Sequence, residues 1–175
     1  MLFPVVDRFQ AGFNTKTGCS TGFSKQLLEG RRRVSSVLTF DYAAGKQHQV
    51  EKNLVKGTGK EQTASIPPCV MDSLSAIFYA ASQPMVVGQD FRFPLADSMR
   101  TVTVTMKVEA KEEIKTPAGT FQTIRVQPTA DEGIVKNRGN IWIWYTDDAR
   151  HMPVQIRARL FWGTITAHLQ SYDAK

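Results

Sequence analysis

The sequence is poor in the patterns that would place it in a specialised class of protein. Its 175 residues include two cysteines, Cys19 and Cys69, and neither belongs to a C-x-x-C pair. Zinc-binding and thioredoxin-like sites therefore have no support. No apolar run approaches the roughly 18 residues that are needed to cross a bilayer, so we expect a chain that does not span a membrane. The first residues, Met1 to Pro4, lack the basic and apolar regions of an export signal.

The sequence also lacks a long basic segment, although the formal net charge of the chain is +6. The only basic cluster is Arg31 to Arg33, which opens a strand-like run from Val34 to Phe40. Proteins that bind nucleic acids usually gather their Lys and Arg on one arm or helix face. We therefore expect no nucleic-acid partner, and we interpret the cluster as a solvated strand end.

What is present is the composition of an ordinary globular protein, with 42% hydrophobic and 22% charged residues. The length lies within the usual size of one domain and allows a sizeable core. Because no internal repeat, low-complexity tract or linker interrupts the chain, we predict a single domain over residues 1–175.

Alternation of apolar and polar residues with a period of two dominates the second half and predicts β-strands. The predicted strands of this half are residues 101–108, 121–126, 141–145, 154–160 and 164–169. Turns are predicted at Thr116 to Gly119 and at Asp147 to Arg150, where Pro, Gly and Asp are concentrated. The second half is therefore predicted to be a meander of about five strands.

The first half contains a predicted hairpin and a short helix. Runs at 34–40 and about 47–53 flank the turn-rich residues 41–45, and residues 54–68 are predicted to form a loop. Asp72 can cap a helix that extends to about Gln83, where Pro84 stops it. The apolar stripe of this helix is predicted to consist of Leu74, Ile77, Phe78 and Ala81.

These elements predict a mostly β fold of the α+β class. One short helix with an apolar stripe must bury that stripe against the strands. We therefore predict a curved antiparallel sheet, like a half-barrel, that wraps around the helix.

Ser20 is the candidate nucleophile that the sequence offers. Gly18 to Gly22 match the G-x-S-x-G pattern, and Asp147 followed by His151 or His168 gives the chain order of a hydrolase triad. The pattern requires a buried strand before the serine and a helix after it, and neither is predicted here. We therefore expect no enzyme.

The three histidines, His48, His151 and His168, lie in separate predicted elements without the spacing of metal ligands. They predict neither a metal site nor a cofactor.

The three tryptophans are the candidate ligand-binding residues. Trp142 and Trp144 are predicted to share one face of their strand, and Trp162 follows the next strand. Aromatic side chains of this kind either pack in the core or line a concave site for an acyl chain or another apolar ligand. Both interpretations stay open at the level of sequence.

Five segments together resemble the bacterial envelope family catalogued as domain of unknown function 3108. The similarity spans about residues 3 to 172 in order, and its segments are Phe40 to Gly45, Ile66 to Ala76, Thr116 to Phe121, Trp142 to Asp148 and Pro153 to Ile156. The family has no catalytic motif to carry over. Its members look like exported proteins, so the resemblance implies a periplasmic or envelope location and a lipid or envelope protein as the partner.

The resemblance also extends the prediction of fold and function. A sheet around a helix is similar to the lipoprotein carriers LolA and LolB, which hold acyl chains, although a shared fold does not fix a function. Relatives usually have an export signal and further strands upstream, so we expect this chain to be N-terminally short, with an open edge strand. The leading hypothesis is a non-enzymatic envelope domain that binds a lipophilic ligand or a partner protein. The alternatives are a structural or assembly module with no ligand and a serine hydrolase that uses Ser20.

An envelope location would be oxidising, and on that basis we expect Cys19 and Cys69 to form a disulfide. Each cysteine lies in a loop-like segment beside a turn-forming residue, Gly18 or Pro68. The alternative is two unrelated thiols.

Overall fold

The computed structural model describes residues 5–130, 140–160 and 163–173. Within them the chain forms two compact units. The first contains residues 1–76 and 94–101, and the second contains residues 77–93 and 102–175. The chain therefore passes between the units at residues 76/77, 93/94 and 101/102. The single domain over residues 1–175 stays a prediction.

The first sheet is a meander of five consecutive strands, each paired with the next. Its strands are β1 (Arg8–Phe13), β2 (Ser20–Glu29), β3 (Arg32–Asp41), β4 (Lys46–Asn53) and β5 (Gly59–Ser65). The hairpin predicted around residues 41–45 is confirmed as the β3–β4 hairpin. Gly45 closes its turn with a φ of 63°, a conformation that glycine adopts without steric cost.

The second sheet has six strands in the order β11-β10-β9-β8-β7-β6. Its strands are β6 (Asp90–Asp97), β7 (Arg100–Thr116), β8 (Gly119–Thr129), β9 (Asn140–Thr146), β10 (Pro153–Leu160) and β11 (Gly163–His168). The five strands and the two turns predicted for the second half are confirmed here. The single helix of the described residues, α1 (Ser75–Ala81), lies between β5 and β6.

The prediction of one continuous sheet is wrong, because the described strands form two antiparallel sheets and neither sheet closes into a barrel. The ladder breaks after β5. The residues that follow β5, 66–89, contain α1 and Cys69, which forms a disulfide with Cys19. The mostly β class is confirmed.

The loop predicted for residues 54–68 is also wrong over part of its length, because β5 occupies Gly59–Ser65. β5 lies at an edge of its sheet, and six of its seven residues are exposed. A strand with both faces in water has no need of alternating apolar residues, so the pattern that reveals other strands is missing. β1, the opposite edge, was not predicted either, although its apolar residues Phe9, Ala11 and Phe13 stand at every second position. The strands β2 and β6 were also not predicted.

Each unit has its own apolar core. In the first unit, Leu38, Val70 and Ala96 are buried, and Phe23, Phe40, Tyr42 and Ile66 pack against them. In the second unit, one face of the six-stranded sheet carries a set of buried apolar side chains: Val104, Met106, Val108, Ile124, Val126, Ile143 and Tyr145.

The helix begins as predicted, but its buried face is not the predicted stripe. Asp72 caps it, because Asp72 Oδ1 accepts hydrogen bonds from the backbone N–H groups of Leu74 and Ser75. Phe78, however, is 49% exposed, whereas Ala80 is fully buried. A helix of fewer than two turns has little apolar area, so single polar contacts determine its orientation. Here the Tyr145 hydroxyl donates to Ile77 O at 3.0 Å.

No helix among the described residues is long and apolar enough to cross a membrane.

Candidate functional site

The six-stranded sheet has one face that carries Trp142 and Trp144, and we call it the tryptophan face. On β9 the two tryptophans alternate with Ile143, as predicted. Across the ladder, Trp144 pairs with Arg125 of β8 and Gln155 of β10, and Trp142 pairs with Arg157. Paired residues project to the same side of a sheet, so these polar side chains lie on the tryptophan face.

The helix packs on the other face. Tyr145, which follows Trp144 and therefore points to the opposite side, donates its hydroxyl hydrogen to Ile77 O. Burial raises the pKa of Tyr145 above its ordinary value, so this hydroxyl stays protonated. The tryptophan face is thus not the face that the helix covers.

Trp144 is held within the sheet by polar contacts. It is 3% exposed, and its indole Nε1 donates a hydrogen bond to Glu112 Oε1 at 2.7 Å. The guanidinium carbon of Arg157 lies 5.2 Å from the centre of the Trp144 ring, a cation–π distance. Trp144 therefore has its polar and aromatic surfaces engaged within the protein.

Arg125 joins the two acidic side chains of this face. Its Nε donates to Glu109 at 2.8 Å and its Nη1 donates to Glu112 at 2.9 Å. The hydrogen bond to Glu109 is the largest cause that raises the pKa of Arg125 above its ordinary value. The two glutamates share a face although they are three residues apart, because β7 has a bulge between Val108 and Ala110 that reverses the alternation.

Trp142 is different, because it is only half-buried. Its cross-strand neighbour Arg157 is exposed, and so is Arg159, two residues further along the same face of β10. Within the described part of the chain, neither arginine takes part in an ion pair. The outer part of the tryptophan face thus presents one aromatic surface beside two cationic side chains.

Gln155 adds a buried polar group to this face. It lies across from Trp144 and is buried, and its amide Nε2 donates no hydrogen bond within the described residues. Buried amides that lack a protein partner are uncommon and mark places that accommodate a further polar group. Trp162, the third predicted ligand-binding residue, lies outside the described residues.

The first unit has a second polar cluster, centred on Ser20. The Ser20 hydroxyl donates to Asp72 Oδ2 at 2.6 Å and accepts from the Asp72 backbone N–H at 2.7 Å. Asp72 Oδ2 also accepts from Ser75 Oγ at 2.6 Å. Ser20, Asp72 and Ser75 are all buried. The candidate nucleophile is therefore held by the carboxylate that caps the helix.

Tyr42 also forms a hydrogen bond to this cluster. Its hydroxyl donates to Ser20 O at 2.6 Å, and burial raises the pKa of Tyr42 above its ordinary value. Cys19, which directly precedes Ser20, forms a disulfide with Cys69, and the Cα atoms of the two cysteines are 5.2 Å apart. The predicted disulfide is confirmed, and such a bond fits an extracellular or periplasmic protein.

Among the other residues considered for chemistry, Asp147, His48 and His151 have structural partners, and His168 is exposed at the end of β11. Asp147 accepts from Lys111 Nζ at 2.6 Å, and a ring nitrogen of His151 lies 2.9 Å from Ala81 O. His48 lies 3.2 Å from Thr63 Oγ1. Hydrogen bonds from Arg150 lower the pKa of Asp148 to about 2, which keeps the β9–β10 turn charged. No group of three or more potential metal ligands occurs among the described residues.

Comparison with known proteins assigns the chain to a family. Residues 1–170 match the model of the family described as Protein of unknown function (DUF3108). The chain belongs to the DUF3108 family. Searches of curated proteins and of solved structures found no match.

Sequence reasoning about this DUF3108 member identified Trp142 and Trp144 but not their polar partners. The alternation of residues 154–160 was sufficient to place Gln155, Arg157 and Arg159 on one face. Glu109 and Glu112 could not be assigned in this way, because the bulge of β7 has no glycine to mark it in the sequence.

Proposed function

We propose that the protein is a non-enzymatic domain of the bacterial envelope that holds a lipophilic ligand with an acidic headgroup against the tryptophan face. The observation that supports this function is the position of half-buried Trp142 beside the exposed cations Arg157 and Arg159. An apolar chain would pack on the indole ring, while the acidic headgroup would accept charge-assisted hydrogen bonds from the arginines.

The envelope location is supported by two features. The Cys19–Cys69 disulfide persists only where thiols are not kept reduced. The resemblance of the DUF3108 segments to exported proteins points to the same compartment. LolA and LolB, which hold acyl chains, provide an analogy for the ligand, and that analogy concerns architecture alone.

Trp142, rather than Trp144, is the proposed contact for the ligand. Trp144 already donates its indole hydrogen to Glu112 and stacks below Arg157. A ligand that displaced these contacts would leave a buried donor without a partner, which costs about 1–3 kcal/mol. Trp142 keeps part of its ring accessible.

Native mass spectrometry tests the proposal on protein purified from its own envelope, where we expect a bound lipid of defined mass. In a second assay, an apolar fluorescent probe should bind the purified protein and be displaced by fatty acids. Trp142→Ala and Arg157→Gln should each weaken fatty-acid displacement about tenfold. Lys115→Gln is the matched control, because Lys115 is exposed and lies on the opposite face of the sheet.

A structural or assembly module without a ligand is the alternative. It would show no co-purified lipid, no displacement of the probe and equal behaviour of the three variants. That combination of results would refute the proposed function.

A further inference from the structure

One end of the five-stranded sheet combines exposed apolar side chains with a group of cations. The β2–β3 turn, the β4–β5 loop and the residues before β1 all lie at this end. Leu54 N–H donates to Arg33 O at 2.9 Å, which joins the β4–β5 loop to the start of β3. Val6 N–H donates to Leu28 O at 3.1 Å, which brings the residues before β1 to the end of β2. We call this end the basic tip.

The apolar part of the basic tip is the β4–β5 loop. Val55 is 62% exposed and Leu54 is 43% exposed. The loop is held in place by Asn53, whose Oδ1 accepts from the backbone N–H groups of Val55 and Lys56 at 3.0 and 2.9 Å. Asn53 O also accepts from Gly57 N–H, and Gly57 has a φ of 68°. A loop fixed in this way projects its apolar side chains without a cost in loop ordering.

Val5 and Val6 extend the same surface. Both are exposed, and Val5 forms a β-bridge with Glu29 directly beside the β2–β3 turn. The end of the sheet therefore presents exposed aliphatic side chains from two separate segments of the chain.

Six cationic side chains surround these residues, and all six are exposed: Arg31, Arg32, Arg33, Lys52, Lys56 and Lys60. Of the acidic side chains nearby, Glu29 binds Arg32 at 3.0 Å and Glu51 lies 3.7 Å from Lys60, while Asp7 Oδ1 accepts a hydrogen bond from the Leu28 backbone N–H at 3.0 Å. The remaining four cations form no ion pair within the described residues, so their charge is available to a partner. The sequence indicated only a solvated strand end here, because Lys52, Lys56 and Lys60 lie about 20 residues or more after the arginines.

We propose that the basic tip docks the protein on a lipid surface that contains anionic headgroups. Exposed aliphatic side chains at the tip of a loop can enter the boundary between headgroups and acyl chains, while the surrounding Lys and Arg bind the headgroups. A polyanion such as a nucleic acid would use the cations but would gain nothing from exposed Leu54 and Val55. This surface belongs to the first unit, so the docking stands independently of the ligand proposed for the tryptophan face.

Vesicle co-sedimentation of the whole protein tests the docking. We expect binding to vesicles of phosphatidylcholine with about 30% phosphatidylglycerol at low salt, and no binding to phosphatidylcholine alone. Raising the salt concentration should weaken the binding, because exposed charges are screened. Each cation near an anionic surface contributes about fivefold in affinity, so Arg31→Gln/Arg33→Gln should lose at least tenfold.

Two further variants distinguish the contribution of the exposed apolar side chains to vesicle binding from the contribution of the net charge. Leu54→Ser/Val55→Ser leaves the charge unchanged and should weaken vesicle binding about tenfold. The matched control is Lys16→Gln/Lys46→Gln, which removes the same charge at the opposite end of the sheet, where both lysines are exposed. It should bind as the unchanged protein does. Circular dichroism melting checks that every variant is folded.

Three results would overturn the proposal. The first is no binding to anionic vesicles at low salt. The second is an equal loss for the control variant, which would indicate an effect of net charge alone. The third is binding to duplex DNA or heparin that exceeds vesicle binding and is unaffected by Leu54→Ser/Val55→Ser.

Discussion

At the scale of single residues, Asp72 joins two distant parts of the first unit. Its carboxylate caps α1 through the N–H groups of Leu74 and Ser75, and it also binds the hydroxyl groups of Ser20 and Ser75. Because the side chain is buried, none of these hydrogen bonds is replaced by water when the carboxylate is removed.

We therefore expect Asp72→Ala to lower the free energy of unfolding by about 2–4 kcal/mol. Loss of a helix cap costs about 1 kcal/mol, and the buried Ser20 hydroxyl left without its acceptor adds about 1–3 kcal/mol. Urea unfolding monitored by circular dichroism measures the change. Asp173→Ala, at an exposed position, should change it by less than about 0.5 kcal/mol. An equal effect of both variants would contradict the role assigned to Asp72.

Part of this site was predictable from sequence. The cap followed from Asp72 standing before a helical pattern, and the disulfide followed from the expected oxidising compartment. The hydrogen bond between Ser20 and Asp72 joins residues 52 positions apart. No local pattern encodes such a pair, and the G-x-S-x-G match directed attention to histidines instead of to this carboxylate.

At the scale of elements, the bulge in β7 determines which acidic residues meet the tryptophan face. Before the bulge the odd-numbered residues share this face, and after it the even-numbered ones do, so Glu112 projects toward Arg125 and Trp144. Glu113 projects to the other side, where it is exposed and accepts from Gln122 at 3.1 Å.

The bulge predicts that neighbouring glutamates behave differently. Glu112→Ala should lower the free energy of unfolding by about 2–3 kcal/mol, because it leaves the buried Trp144 indole N–H without an acceptor. Glu113→Ala should cost less than about 0.5 kcal/mol, as expected for an exposed polar contact. Urea unfolding of the two variants gives the comparison. Equal losses would mean that the strand register after the bulge is different.

The helix shows why an element can be predicted correctly while its orientation is not. The spacing of Leu74, Ile77, Phe78 and Ala81 indicated one buried stripe, yet Phe78 is about half exposed and Ala80 is fully buried. A stripe determines orientation when a helix is long enough for its apolar area to outweigh its end contacts. In α1 the capping residue and the Tyr145 hydroxyl fix both the start and the middle of a seven-residue helix.

At the scale of the whole molecule, sequence patterns predicted the strands better than their grouping into sheets. Central strands such as β7 and β10 alternate clearly because one face is buried. Edge strand β5 is exposed on both faces and carries no such pattern, whereas edge strand β1 alternates Phe9, Ala11 and Phe13 with other residues although five of its six residues are exposed. Because β1, β2 and β5 were not predicted, the first half of the sequence contained a single predicted hairpin, and the break between two sheets could not be predicted.

The disulfide is a covalent long-range link of the first unit, and it allows a prediction about the stability of the protein. It joins residues 50 positions apart, and β2 to β5 lie within the loop that it closes. The chain-entropy model gives on the order of 4 kcal/mol for a loop of this length, a large part of the 5–15 kcal/mol typical of a domain. Cys19→Ser/Cys69→Ser should therefore unfold at a clearly lower urea concentration than the oxidised protein.

Adding a reductant distinguishes the effect of losing the disulfide from the effect of replacing the two cysteine side chains by serine. Reduction should lower the urea midpoint of the unchanged protein to that of Cys19→Ser/Cys69→Ser and should leave the variant itself unaffected.

The effects of reduction and of Asp72→Ala on the free energy of unfolding should not be additive. Ser20 directly follows Cys19, and its hydroxyl binds Asp72. Once the disulfide is absent, Asp72→Ala should cost less than it does in the oxidised protein, since residues that share one network are not additive. A loss below about 1 kcal/mol on reduction, or strict additivity of the two changes, would show that the disulfide does not support the Ser20–Asp72 cluster.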